Sequence, residues 1–314
     1  MNFQKIPPVT NGKSLLDSAF GRARKSGITE DFSGNWLQVI RKKETFKYKS
    51  IQDYLTQRLD AVLKNFPQVE ELSPFYQKLM ELTIEIQSFK KCLGAMGWAK
   101  QKINFFQKEY SNKVNYEKDR HKIQLISTQY YGRISSVIKQ IEPSLKYLEE
   151  ARRMMRTYPD IKNMFTVCIY GFPNVGKSTL LNELCGTKAQ VAAYAFTTKS
   201  INSGFMERNG KKVQILDVPG TLDRHEKSNL IELQAELVVK EVANVIVYVF
   251  DLSEHCGYSI KEQEKLLDTV GKRKPVLIYL SKLDLVDKEV LAGWKRKSYS
   301  FSELKEAIFG LSEK

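Results

Sequence analysis

No apolar run in this 314-residue chain approaches the ~20 residues that a bilayer-spanning helix needs. The opening MNFQKIPPV also lacks the apolar centre of a secretory leader, and no lipidation motif is present. No membrane role is expected. Cysteine is scarce: Cys92, Cys168, Cys185 and Cys256 stand apart without a C-x-x-C pair. That excludes a thiolate metal motif and fits the reduced thiols of a cytoplasmic protein. His121, His225 and His255 have no partner at metal-ligand spacing, so no histidine metal site is expected. Acidic residues are the short side of the charge balance, 36 against 50 Lys and Arg, for a net charge of +14. The shortfall sits in the first half, where residues 1–160 hold 28 basic and 17 acidic groups while residues 161–314 hold 22 and 19. A polyanion is the natural partner of such a half.

What the chain does carry is GFPNVGKS at Gly171 to Ser178, which satisfies G-x-x-x-x-G-K-[ST] at every defined position. The apolar run 165–170 precedes it and helix-favouring residues 178–184 follow, the context a phosphate loop requires. Gly171 and Gly176 allow the backbone to curl so that loop amides, those of Asn174, Val175 and Thr179 among them, face a phosphate. Lys177 is placed to neutralise β- and γ-phosphate oxygens, and the Ser178 hydroxyl to ligate Mg²⁺.

Three later segments choose the nucleotide. Asp217-Val218-Pro219-Gly220 follows an apolar strand and matches D-x-x-G, with Asp217 on the metal side and the Gly220 amide toward the γ-phosphate. Ser281-Lys282-Leu283-Asp284 follows a second apolar strand and matches the guanine-reading N-K-x-D with Ser for Asn. A carboxylate at Asp284 accepts from both N–H groups on the guanine edge, and adenine has no such pair to offer. Between these motifs, Thr198, or its neighbour Thr197, is the candidate switch threonine completing the metal shell. A last guanine-loop segment is expected near residues 297–300, without the small residue and glycine usual there. GTP is thus the expected substrate, with Lys177, Thr198 and Gly220 as the catalytic candidates.

The fold class read from patterning is α/β, an antiparallel helical bundle followed by a Ras-like phosphate-loop domain. The bundle is expected over residues 1–160 and the nucleotide domain over 161–314. Ile51, Leu55, Leu59, Val62 and Phe66 recur at helical spacing until Pro67. Ser73 and Pro74 open a helix carrying Phe75, Leu79, Leu82 and Ile86, and Trp98, Ile103 and Phe106 mark a third. A long helix is expected over 123–141, with Pro143 opening another. Arg152 and Arg156, four apart, are expected on one solvent-facing helix stripe, Arg153 beside them, as phosphate contacts. In the second half, strands near 165–170, 212–217, 244–251 and 275–281 alternate with helices, predicting a mostly parallel sheet. Asn209-Gly210 predicts a hairpin, hence one antiparallel edge strand, and Ser300 with Glu303 a capping box.

The strings YAFTTKSINSG, DVPGTLDRHEKSNLIELQA and VYVFDLSEHCGYSIKEQ resemble the nucleolar GTP-binding protein family, a branch of the Obg group of GTPases. Upstream likeness at Ser73-Pro74-Phe75-Tyr76, Leu93-Gly94-Ala95, residues 131–136 and Glu150-Ala151-Arg152 extends it over nearly the whole chain. The chain is similar to the archaeal form, without the long C-terminal extension of eukaryotic members. Two departures are Ser281 for Asn and Thr221 where the family usually has Leu. The resemblance implies GTP hydrolysis with Mg²⁺, action in large ribosomal subunit assembly, and precursor ribosomal RNA and assembly-factor proteins as partners. Related GTPases use an Asn at the position of Asn174 to hold K⁺; bracing of its own backbone is the other role open to it. Ras-type enzymes place a water-orienting Gln where this chain has Thr221, so slow turnover without a partner is expected. Two other functions are compatible with the motifs: a signalling GTPase whose basic half meets a protein or membrane, and an RNA-binding scaffold with a weakly active GTP site.

Overall fold

The computed structural model describes residues 3–29, 32–186, 192–196, 199–218, 236–272 and 274–313. Thr197, Thr198, Gly220 and Thr221 lie outside the described residues. Five helices come first: α1 (Gly12–Thr29), α2 (Trp36–Asn65), α3 (Pro74–Thr83), α4 (Ile86–Tyr116) and α5 (Arg120–Met155). Asn35 caps α2 in a reciprocal box with Gln38, and Asp119 caps α5 by accepting from His121 N.

Helices α1, α2, α4 and α5 form an up-and-down bundle. Lys100 reaches Asp60 at 2.6 Å and Gln52 reaches Asn104 at 2.8 Å, so α2 and α4 run antiparallel. The Gly12 amide donates to Glu142 at 2.7 Å and Phe20 meets Tyr131 edge-on, closing α1 onto α5. Tyr48, Tyr130, Ile103, Ile134 and Leu148 are wholly buried. The Tyr48 hydroxyl lies 2.7 Å from Ser127 Oγ, so this buried phenol keeps a partner.

Three expectations for this half need correction. Ile86 does not continue the helix of Phe75; α3 ends at Thr83 and Ile86 opens α4. Pro143 does not start a helix but lies within the 36-residue α5. Its missing N–H costs one helical bond, yet Ile141, Leu145 and Leu148 remain on one buried face, and that burial holds the helix through the proline. Arg152 does not face solvent. It is buried, bonded through Nε and Nη2 to Glu149 at 2.7 and 2.8 Å, with Ile6 O at 3.4 Å from Nη1. Arg153 and Arg156 are exposed as expected.

The chain clusters into two compact units, Asn2–Glu71 with Thr83–Arg156, and Leu72–Leu82 with Thr157–Lys314. Most of α3 therefore packs with the second half of the chain. The Tyr76 hydroxyl donates to Pro159 O at 2.6 Å and accepts from Ile161 N at 2.9 Å, and Lys78 pairs with Glu241 at 2.6 Å.

The second unit holds β1 (Thr166–Tyr170), α6 (Lys177–Cys185), β2 (Ala192–Phe196), β3 (Lys199–Arg208), β4 (Lys211–Asp217), β5 (Val245–Asp251), α7 (Ile260–Gly271), β6 (Val276–Ser281), α8 (Lys288–Ala292) and α9 (Phe301–Ser312). The sheet order is β2-β3-β4-β1-β5-β6, with β4, β1, β5 and β6 parallel. Asn209 and Gly210, at φ 52 and 78°, turn β3 back along β4, the left-handed pair that a type I′ turn requires. This antiparallel edge is two strands wide, since β2 pairs antiparallel with β3. Strand β5 is buried on both faces, as a central parallel strand should be. The chain passes from β1 to β4 on one side and later to β5 on the other, which makes the carboxyl end of β1 the switch point where ligands bind.

Candidate nucleotide-binding site

The loop between β1 and α6 is built for close backbone approach. Gly171 has φ +146°, and a Cβ there would meet Val249 O at 2.6 Å, so a side chain would strike the backbone of β5. Asn174 and Gly176 take φ 61 and 96°, the left-handed residues that curl the loop. Val175 is wholly buried and anchors the turn from below. Lys177 is also buried, its ammonium donating to Phe172 O at 2.7 Å across the loop. Ser178 and Thr179 are exposed on the first turn of α6, where unpaired helix amides favour an anion.

Strand β4 brings Asp217 to the same place. Ser178 Oγ donates to Asp217 Oδ2 at 2.5 Å, and Asn202 Nδ2 approaches that oxygen at 3.4 Å. Burial raises the Asp217 pKa, while the Ser178 bond and the Lys177 charge oppose the rise. Two hard oxygens from separate elements converge here, the donor set of a small divalent cation.

The third element comes from β6. Ser281 is buried, its hydroxyl donating to Phe250 O at 3.2 Å, and its Cβ lies 3.7 Å from where a Gly176 Cβ would be. The shortened motif therefore still lies beside the phosphate loop. Lys282 takes the left-handed conformation at φ 51° and presents Leu283–Leu285 as a 3₁₀ turn. Asp284 is exposed on that turn, open to a base. Residues 297–300 lie beside this strand, with Tyr299 N donating to Ile278 O at 2.9 Å.

One participant escaped motif reading. Asp251, at the end of β5, is wholly buried and accepts from Lys282 Nζ at 2.8 Å, Ser253 Oγ at 2.5 Å and Cys256 N at 3.0 Å. Burial alone would favour the neutral acid, but the bonds from Lys282 and Ser253 outweigh it and hold the pKa below the usual carboxylate range. Gln263 on α7 meets Asp251 N with its Oε1 at 2.9 Å and Asp251 O with its Nε2 at 2.8 Å. The side-chain amide thus imitates a neighbouring strand. Tyr258 from the same loop lies on Phe172 of the phosphate loop, ring centroids 4.2 Å apart. Asp251 ends an apolar run, VIVYVF, and that strand-end position was the available signal.

Every described motif residue therefore gathers at the carboxyl ends of β1, β4 and β6, the layout of a phosphate-loop GTP-binding domain. A family profile described as the NOG1 N-terminal helical domain matches residues 3–162, and one described as 50S ribosome-binding GTPase matches residues 166–282. The chain belongs to the nucleolar GTP-binding protein family, and its second half is a GTPase domain.

An uncharacterized protein of Methanocaldococcus jannaschii is 35% identical over 91% of this chain and 82% of its own length. Nucleolar GTP-binding protein 1 of Arabidopsis thaliana is 32% identical over 99% of this chain and 48% of its own, and that of Drosophila melanogaster 30% over 94% and 46%. The chain spans about half the length of these two relatives. A solved structure of a putative nucleolar GTP-binding protein 1 from Plasmodium falciparum covers 50% of this chain and 90% of its own at 23% identity and a TM-score of 0.38. No described helix is long and apolar enough to cross a membrane.

Proposed function

We propose that this protein is a cytoplasmic GTPase that binds precursor ribosomal RNA through its basic helical half during assembly of the large ribosomal subunit, with hydrolysis timing its departure. The observation that carries the reading is the joining of a guanine-nucleotide site to a half with 28 basic and 17 acidic residues. The names of the relatives, nucleolar and GTP-binding, and the family profile described as 50S ribosome-binding GTPase support it.

In this reading the loop amides and Lys177 hold the β- and γ-phosphates, and Asp284 reads the guanine edge. Ser178 and Asp217 would hold Mg²⁺, with Thr198 proposed as a further ligand. The metal would offset charge on the phosphate oxygens. Lys177 and, in this reading, the amide of Gly220 would face the γ-phosphoryl group, where negative charge shifts during attack by water. Thr221 is too short to orient that water as a glutamine does, so turnover is slow until a partner supplies the missing group. Asn174 offers K⁺ a place beside the phosphates. Exchange of K⁺ for Na⁺ should then slow single-turnover hydrolysis severalfold, and equal rates would leave Asn174 as a backbone brace. Sedimentation of the tagged protein in cell extract tests the main proposal. A salt-sensitive peak at the large subunit is expected, and migration only as free protein or with membranes would sink it.

A further inference from the structure

One end of the bundle carries large apolar side chains that the core does not use. Trp36 is 61% exposed at the start of α2, Tyr116 84% at the end of α4, and Leu125 58% near the start of α5. They share one end of the fold, because Arg41 ties α2 to the α4–α5 connection through two bonds to Glu117 O, at 2.9 and 2.6 Å. The Arg120 guanidinium lies over the Trp36 ring, 5.6 Å from its centroid.

The charge around them is lopsided. Residues 36–47 and 116–122 hold seven Lys and Arg against Glu44, Glu117 and Asp119. Those three carboxylates are engaged locally: Glu44 with Lys47 and Ser127, Glu117 with the amides of Lys118 and Asp119, and Asp119 with His121 N. Lys118, Arg120 and Lys122 are exposed. Beside Arg120, a cleft of about 490 Å³ opens between α2 and α5, lined by Lys43, Lys47, Gln124 and Thr128. That volume lies within the usual range of small-molecule sites.

We propose that this end takes an unpaired nucleotide of single-stranded RNA, its base stacked on Trp36 with Arg120 and its flanking phosphates held by Lys43, Lys118 and Lys122. Base-on-aromatic stacking beside a basic groove is how single strands are held without sequence readout, and a paired base offers no free face. A protein partner is the weaker fit, since the surface around the aromatic residues is strongly positive and its few acids are already bonded. The proposal rests on the reading that the helical half binds ribosomal RNA.

The test is fluorescence anisotropy of the full chain with a short labelled RNA, single-stranded and as the same sequence in duplex. Trp36→Ala should weaken single-strand binding roughly tenfold and leave duplex binding unchanged. Trp36→Phe should recover most of the loss. Lys43→Gln with Lys122→Gln should instead lower the salt dependence for both RNAs. If the parent chain binds RNA but Trp36→Ala alters neither affinity, or both equally, the stacking site is wrong while the RNA reading survives. If the parent chain binds neither RNA at low salt, both fall together.

Discussion

Among the described residues eleven polar or charged side chains are buried, and eight of them lie in the GTPase unit, from Thr166 to Ser281. The bundle buries Thr56, Ser127 and Arg152, each serving its own helices. The difference teaches how each half meets its ligand. A nucleotide is small and can be enclosed, so Lys177, Asp217 and Asp251 are held in place by burial before it arrives. The long polyanion proposed for the bundle could not be enclosed, and the bundle leaves most of its charge in water, where it acts over a distance.

The widest contrast is expected at Lys177. Lys177→Ala should weaken GTP binding at least a hundredfold by calorimetry, a loss of about 3 kcal/mol, and leave RNA binding intact. Loss of both would mean that the two halves do not divide the work. Next comes Asp284→Asn, which removes charge-assisted bonds and should lower GTP affinity by roughly 2–3 kcal/mol while favouring xanthine nucleotides. Unchanged GTP affinity would end the guanine assignment.

Arg152 breaks the simple contrast, because it is the buried cation of the bundle. Arg152→Ala should cost about 2 kcal/mol of stability by leaving Glu149 less well paired, with RNA binding at a temperature where the fold persists unchanged. The Arg152 bond holds the Glu149 pKa down at about 2 from 4.5. A depressed carboxylate stabilises the native state fully above the unfolded value and loses that contribution as pH falls from about 4.5 towards 2. The stability gap between parent and variant should therefore narrow with acid; a gap constant over that range would mean the pairing contributes nothing. The smallest effect is expected from Ser281→Asn. A longer amide beside Gly176 should tighten nucleotide binding by less than about 1 kcal/mol, and a loss would show that the serine suits the loop as it stands.

Much of the nucleotide site was legible because phosphate binding demands local features: glycines at positive φ, a lysine, a hydroxyl, each at set spacing after an apolar strand. Asn209-Gly210 and the Ser300 cap were readable for the same reason, being short-range geometry. What escaped depends on residues far apart in the chain. Helical spacing places Arg152 and Arg156 on one stripe, but it cannot foresee that Ile6 O and Glu149 enclose the first. Pro143 signals a break, and only the buried row at 141, 145 and 148 overrides it. Asp251 reads as one more strand end in the sequence, and its bond from Lys282, thirty-one residues on, sets it apart. The apolar set of α1, Leu15, Ala19 and Ala23, recurs every four residues, but two of the three are alanines, too weakly apolar to mark a face against their neighbours.

The placement of α3 has a consequence for anyone who cuts this protein. The backbone crosses between the compact units three times, near residues 71, 82 and 156, rather than once. A fragment beginning after the bundle would lose Tyr76, whose hydroxyl bridges Pro159 O and Ile161 N, and would leave those groups to water. A fragment holding only the first half would carry Phe75 and Tyr76, buried in the whole protein, as an uncovered aromatic pair and a ready site of self-association. Gene surgery on this chain is safer as a fragment that starts near residue 72 and joins residue 82 to residue 157 by a short splice than as a single stop codon or a single new start after the bundle.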